Sequence, residues 1–311
     1  MKVLCKKVII FIIILCGVIW GLGWLSKYEL VCKLLVAITN SADYMENSGA
    51  DEIKPFIDRV QQKDGTTKLI IGDSMCQQMF NGLQQYNTDY TIAGSNGAIT
   101  MAGQYLLVNE YLKNHENVTD IYIYLHPSSL GRGIDSSVAY SYIVMPFGLK
   151  NALSALDTNT LDDMKSVYGA IFLKPVMMKW LENFPVGRKV YFNVIKDSGK
   201  VFEEESMYDI PNQYIEKIYS MCKEKNITLH LYPSPVSEHF YEDIEKRKLL
   251  YSGTWLEEHF PEFFSKIVYF PREQAADGTH FSEEYATQEH FNEWIRIIFR
   301  ESELLDTLKF E

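Results

Sequence analysis

Ser74 closes the run Ile70-Ile71-Gly72-Asp73-Ser74, and His280 stands three residues after the acid in Asp277-Gly278-Thr279-His280. Serine, histidine and carboxylate are the parts of a nucleophilic acyl-transfer site. A hydroxyl attacks poorly until a base takes its proton, and an imidazole serves as that base when its tautomer is held. An Asp three residues before a His in a loop can aim its carboxylate at Nδ1, which leaves Nε2 free for the serine. Each motif also has a plain structural reading: Ser74 as a helix N-cap, and Asp277 as a turn cap beside a surface His280.

The two motifs need elements to carry them. Lys68–Gly72 (KLIIG) is a short apolar run that reads as a strand, and a helical stretch, Met75–Tyr86, follows it. Ser74 then falls where a strand ends and a helix begins. There its side chain projects above the sheet edge, and its amide belongs to a helix start that favours a developing anion. Gly72 permits the tight turn. Tyr90–Ala93 (YTIA) reads as a second strand, Met101–Asn114 as a helix with Leu106, Leu107, Tyr111 and Leu112 on its apolar face, and Asp120–Leu125 (DIYIYL) as a third strand. The pattern resumes with a helix over Pro211–Lys225, a strand over Ile227–Tyr232, helices between Val236 and Phe264, a strand over Ile267–Phe270 and a last helix over Ser282–Leu305. Strands alternating with helices predict an α/β domain whose mainly parallel sheet is covered on both faces. Such sheets place their sites at the carboxyl ends of the strands, where Ser74 and the Asp277–His280 loop both fall.

The alternation breaks over 127–210, which predicts an insertion, aromatic-rich and partly helical in YSYIVMPFGLKNALSALD and GAIFLKPVMMKWLENF. It reads either as extra core or as a cap that shapes a groove or rests on a membrane. Ahead of the domain, Lys2, Lys6 and Lys7 precede an uncharged run from Val8 to Leu25. As a helix that run rises about 27 Å, enough for a bilayer core. It exceeds a usual signal-peptide core, and no small-x-small cleavage pattern follows closely. Leu15 before Cys16 also argues against lipoprotein processing. The expectation is an uncleaved single-pass anchor over 1–30 with its N-terminus cytoplasmic, a linker over 31–65 and an extracytoplasmic domain over 66–311.

Composition narrows the partners. The 311 residues carry 30 Lys+Arg against 41 Asp+Glu, a formal net charge of −11. With no basic cluster, this is the wrong electrostatic footprint for nucleic acid. The 5 cysteines are scattered and form neither a disulfide framework nor a CxxC pair. His115, His239, His259 and His290 show no metal spacing, so neither a metal nor a cofactor is expected. Cys76, two residues past Ser74, reads as a buried inert thiol with no cation nearby to lower its pKa. His230 reads as a core or edge residue of the fourth strand.

Taken together and in this order, Gly72-Asp73-Ser74 and Asp277-Gly278-Thr279-His280 resemble the SGNH/GDSL hydrolase family. That family carries a Gly-Asp-Ser block after its first strand and an Asp-x-x-His block near its C-terminus. The resemblance covers roughly residues 66–126 and 211–301. It implies a flavodoxin-like three-layer α/β/α sandwich and a Ser74–His280–Asp277 triad, with Asp73 structural. It also implies an oxyanion hole from the amides of Ser74 and of Gly97 in Ala93-Gly94-Ser95-Asn96-Gly97-Ala98, Gly94 being the second choice. One block departs: where the family has Gly-x-Asn-Asp, this chain reads Tyr124-Leu125-His126-Pro127-Ser128-Ser129-Leu130. No Asn is available there, and Ser128 or His126 is the substitute donor or else a structural residue.

The departure and the anchor look like the SGNH-like proteins that modify cell-surface polymers, where a multispanning acyltransferase delivers the acyl group across a bacterial membrane. The resemblance therefore implies a membrane-anchored serine esterase or O-acyltransferase acting on acyl, chiefly acetyl, esters of a cell-surface polymer or exopolysaccharide. Its partners would be that glycopolymer and the membrane acyltransferase. The rival expectation is an inactive SGNH-fold protein that binds or scaffolds polysaccharide.

Overall fold

The uncharged run near the N-terminus lies within one helix, α1 (Lys2–Leu25). The structure is a computed structural model that describes residues 2–25, 52–98, 100–131, 142–143, 145–148, 152–162, 209–300 and 302–310. The side chains of α1 from Leu4 to Val18 are exposed. Among the described residues no helix is long and apolar enough to cross a membrane, so the expected span is not found there.

The chain divides into two compact units, Met1–Asp51 with Asp135–Val201, and Glu52–Ile134 with Phe202–Glu311. Of the insertion expected over 127–210, the first unit shows a short helix, Met145–Gly148, and a 3-10 turn, Leu153–Ala155. Ile143, Phe147, Leu153 and Leu156 are buried. The segment GAIFLKPVMMKWLENF lies outside the described residues.

The second unit holds the sheet, and it starts ahead of residue 66. Helix α2 (Lys54–Val60) begins with Pro55 in its first turn and buries Phe56, Ile57 and Val60. Strand β1 (Lys68–Gly72) follows, then α3 (Ser74–Phe80), β2 (Tyr90–Gly94), α4 (Met101–Asn114) and β3 (Asp120–Leu125). Helix α5 (Asp209–Glu224) and strand β4 (Thr228–Pro233) complete a four-stranded parallel sheet in the order β2-β1-β3-β4.

The chain leaves β1 in one direction to reach β2, then passes back over β1 to reach β3. Right-handed crossovers therefore set α3 and α4 on opposite faces. Side-chain alternation agrees. Ile70, Ile92, Tyr122 and Tyr124 share a core cluster with Met75, Met79 and Phe80 of α3, while the intervening Leu69, Ile71, Ile121 and Ile123 are buried on the other face. Burial on both faces explains why these strands read as nearly continuous apolar runs. On the α4 side, α5 packs through Tyr214 against Tyr105, with ring centroids 5.4 Å apart.

Two expectations need correction. The strand expected over Ile267–Phe270 forms only as β6 (Tyr269–Phe270). It pairs in parallel with β5 (Val236–Ser237), apart from the four-stranded sheet. The cause is the sequence after β4: Ser234 still donates its amide to Leu125 (2.8 Å), Pro235 has no amide to give, and Val236 donates to Val268 instead (2.9 Å). The last helix is also shorter than Ser282–Leu305. After α6 (Tyr241–Tyr251), it forms as α7 (Gln288–Ile298) and α8 (Glu303–Thr307). Thr287 takes extended backbone and caps α7, its Oγ1 accepting from the His290 amide, and Ser302 caps α8 in the same way.

The strand order reverses at β1. The crevice between the carboxyl ends of β1 and β3 is therefore the topological switch point, where open parallel sheets seat their ligands.

Candidate active site

Gly72 ends β1 because nothing larger fits. A Cβ there would sit 1.7 Å from the Tyr124 carbonyl oxygen of β3 and 2.5 Å from Cys76 Cβ. Gly94 at the end of β2 is equally confined, its missing Cβ lying 2.6 Å from the Cys76 carbonyl carbon and the Gln77 nitrogen. The two glycines let the first turn of α3 lie on the strand ends.

Asp73 is the N-cap of α3. It takes extended backbone, and its Oδ1 accepts the Met75 amide at 3.0 Å. Its Oδ2 accepts the His126 amide (2.8 Å) and the Ser129 hydroxyl (2.6 Å) from the segment after β3. The side chain is buried and its bonds go to two backbone amides and the Ser129 hydroxyl, so Asp73 is a strut between α3 and the segment after β3. It leaves Ser74 as the first residue of α3, with an amide that has no carbonyl one turn back.

The acid and base arrive on the loop after β6. Gly278 adopts φ +86°, a left-handed conformation that favours glycine, and this turn folds Asp277 back onto His280. Asp277 Oδ1 accepts the amides of Thr279 (3.0 Å) and His280 (2.9 Å), while Oδ2 accepts from His280 Nδ1 at 2.7 Å. A carboxylate only accepts, so Nδ1 carries the proton and Nε2 offers its lone pair. The Ser74 hydroxyl donates to that Nε2 at 2.7 Å. Burial pushes the Asp277 pKa up, but the hydrogen bonds from His280 and Thr279 outweigh it and bring it down to about 2. Side-chain exposures of 31% for His280 and 58% for Asp277 leave the line Ser74–His280–Asp277 open to a substrate from outside.

Gln78 holds this line in place, and sequence reading did not single it out. Its Oε1 accepts the Phe281 amide (3.2 Å) and its Nε2 donates to the Phe281 carbonyl (3.1 Å). Gln78 is four residues past Ser74, one turn along the same face of α3, so one helix carries both Ser74 and the clamp on the His280 loop. That spacing was the available signal, but the partner lies 203 residues away. The buried Phe281 ring packs on Phe270, with centroids 4.3 Å apart, and anchors the loop from below.

The other expected site residues fall differently. The Gly97 amide donates to Ser95 Oγ at 3.1 Å, and no contact among the described residues brings it to Ser74. Gly94 lies within β2, its carbonyl accepting from Asn81 Nδ2 (3.0 Å). Ser128 Oγ is 2.6 Å from His126 Nδ1. His126 is itself buried. Burial outweighs the opposing pull of Asp73 and brings its pKa down to about 4, with Arg247 and His280 adding to the fall. Cys76 is fully buried beneath the site, and burial, then the Asp73 charge, pushes its thiol well up. His230 pairs with Asp120 across β3 and β4 (3.0 Å) and stacks on Tyr122, away from the triad.

Among the described residues no group of three or more His, Cys, Asp or Glu could hold a metal ion. The chain matches no family model, no curated protein and no solved structure.

Proposed function

We propose that this protein is a serine esterase or O-acyltransferase of the SGNH type, with a flavodoxin-like three-layer domain. The observation that carries this reading is the unbroken hydrogen-bonded line from Asp277 Oδ2 through His280 to Ser74 Oγ. Ser74 Oγ attacks an ester carbonyl carbon while His280 Nε2 takes its proton. The carbonyl π pair moves onto oxygen, and the Ser74 amide receives the resulting anion. Asp277 stabilises the imidazolium. Collapse expels the alcohol, which recovers its proton from Nε2 and leaves an acyl-Ser74. Water as the second nucleophile gives deacylation, and a sugar hydroxyl gives transfer.

The substrate and location are proposed with it. The uncharged run Val8–Leu25 behind Lys2, Lys6 and Lys7 supports an N-terminal membrane anchor with the catalytic domain outside the cell membrane. The resemblance of the motifs supports acyl esters of a cell-surface polymer or exopolysaccharide, with a multispanning membrane acyltransferase as donor partner. One observation favours a second reading, a polysaccharide-binding or scaffold protein without turnover: the Gly97 amide is engaged by Ser95 Oγ, so the hole has one fewer free backbone donor.

The experiment is covalent labelling of the full-length protein in detergent with a serine-directed fluorophosphonate, the adduct located by peptide mass. Labelling at Ser74 that disappears in Ser74→Ala and His280→Ala is the expected result. A folded protein that takes up no probe overturns the enzymatic reading and leaves the binding one.

A further inference from the structure

Helix α3 continues past Phe80 as a 3-10 turn, Asn81–Tyr86, and the chain after His280 runs beside it. Ser74 meets His280, Gln78 meets Phe281, and Gly82 lies against Gln288, the first residue of α7. Two stretches of chain therefore keep company from Ser74 to Gly82, roughly 12 Å at 1.5 Å per residue. At the far end lies a cleft of about 650 Å³, lined by both stretches and by Phe310. Its size is that of a ligand site.

The polar groups of this cleft are largely unspent. Asn292 lines it although only 8% exposed; its Oδ1 accepts from Gln288 Nε2 at 2.8 Å, and its Nδ2 has no protein partner. A polar group so nearly buried is normally paired. Gln288 Oε1 rests against Gly82, where a Cβ would collide with it, and accepts no hydrogen bond. A free donor and a free acceptor thus stand side by side. Tyr86 adds a ring that is 39% exposed and a hydroxyl without a partner. Arg296 lays its guanidinium over Phe310, 4.7 Å from the ring centroid, and forms no ion pair among the described residues.

This lining selects a chemistry. An apolar ligand would take water from these groups and pair none of them. An anion would gain from Arg296 but meet Glu289 in the same cleft. It would also meet Glu284 and Glu293 in a neighbouring hollow of about 220 Å³ that shares Glu289. A hydroxyl both donates and accepts, so adjacent hydroxyls on one ring answer Asn292 Nδ2 and Gln288 Oε1 together. The C–H face of a pyranose covers the Tyr86 ring. The edge of the Arg296 guanidinium, whose face lies on Phe310, donates to further oxygens.

We infer that this cleft is a second glycan-binding site, taking an uncharged saccharide stretch of the polymer whose ester reaches Ser74, an inference that rests on the proposed action on a glycopolymer. One continuous helical run carries both Ser74 and Gly82, so a polymer held at the cleft keeps its neighbouring units near Ser74 and raises their effective concentration there. Tyr86, Gln288 and Asn292 bind the chain and do not touch the reacting atoms.

The test is saturation-transfer NMR and titration calorimetry on the full-length protein in a detergent without a sugar headgroup. The probes are uncharged oligosaccharides of glucose, galactose, mannose and N-acetylglucosamine, with an oligogalacturonate as the anionic control. Saturable binding of at least one uncharged probe is expected, and it should persist once Ser74 is phosphonylated. Tyr86→Ala, at an exposed position, is expected to weaken it about tenfold through the lost ring face. Asn292→Asp keeps the acceptor for Gln288 and turns the free donor into an acceptor, so a loss of about tenfold is expected again. Both variants should keep wild-type circular dichroism, and Tyr86→Ala should keep the wild-type rate of Ser74 phosphonylation. The inference is overturned by no saturable binding of any uncharged probe, by binding lost on blocking Ser74, by binding undiminished in both variants, or by tighter binding of the oligogalacturonate. A Ser74 that takes up no fluorophosphonate overturns acyl transfer alone, and binding weakened in both variants then still supports the cleft.

Discussion

Asp73 Oδ2 accepts the His126 amide at 2.8 Å, and this bond ties the carboxyl end of β1 to that of β3 at the point where the strand order reverses. The same carboxylate also holds the Met75 amide and the Ser129 hydroxyl. An acidic residue beside the proposed nucleophile invites assignment to the triad. Its three bonds instead make it the strut that sets the first turn of α3.

Removing that strut is expected to cost stability before chemistry. Asp73→Ala leaves two amides and a hydroxyl without their acceptor in a buried place, a loss of about 3–5 kcal/mol. Asp73→Asn is expected to be nearly as costly, because an amide nitrogen at Oδ2 would face the His126 donor. Urea denaturation measures both, and a loss under 1 kcal/mol for Asp73→Ala would contradict the strut.

In the proposed mechanism Gln78 aims the base, through the Phe281 backbone, without touching the reacting atoms. Gln78→Ala is expected to lower kcat on an acyl ester by about 10–10²-fold with KM nearly unchanged, because a loosely held imidazole is the kind of small misplacement that costs rate. Its stability cost should be only about 1 kcal/mol, since both lost hydrogen bonds are part-buried. Steady-state kinetics beside a melting curve separate the two effects.

Gly72→Ala places a methyl 1.7 Å from a carbonyl oxygen of the neighbouring strand, and neither backbone can yield cheaply. The expected loss exceeds about 3 kcal/mol. Gly278→Ala differs: its Cβ would meet only Phe240 and His239, at 3.6 and 3.9 Å, so the cost is the left-handed backbone alone, about 1–2 kcal/mol. Denaturation midpoints of the two variants should therefore differ clearly.

The buried imidazole of His126 predicts how stability varies with acid. Its folded pKa, about 4, lies below the ordinary 6.5, so its contribution is fully present above pH 6.5 and is lost as pH falls towards 4. In that window the unfolded chain binds a proton that the folded chain refuses, a loss of up to about 3 kcal/mol. Asp277 does not obscure it. With its pKa lowered to about 2, its contribution persists until the pH falls from about 4 to about 2. Urea titrations at pH 7 and pH 4.5 should show the loss in the wild type and its near absence in His126→Leu.

Much of the site could be read along the chain. Ile70–Ser74 names a strand end followed by a helix start, and Asp277–His280 has the spacing of a carboxylate folded onto its own imidazole. These are local patterns, and local patterns survive in sequence because φ, ψ and side-chain reach over three or four residues set them. The helix Met101–Asn114 and the strand Asp120–Leu125 form over the expected bounds for the same reason: long apolar periodicity leaves little choice. The last helix was misjudged because apolar spacing continues through Tyr285, whereas an extended Thr287 decides where the helix starts.

What the sequence determined by itself was the chemistry available: a serine, a histidine and an acid, each at the end of an element that could present it. The tertiary structure decided which groups meet and which are already engaged. It set Gln78 on the Phe281 backbone, gave the Gly97 amide to Ser95, and tied the His126 amide to the carboxylate of Asp73. Those relations depend on which strands lie side by side and in what register, and residues 203 or 206 positions apart carry no local mark of each other.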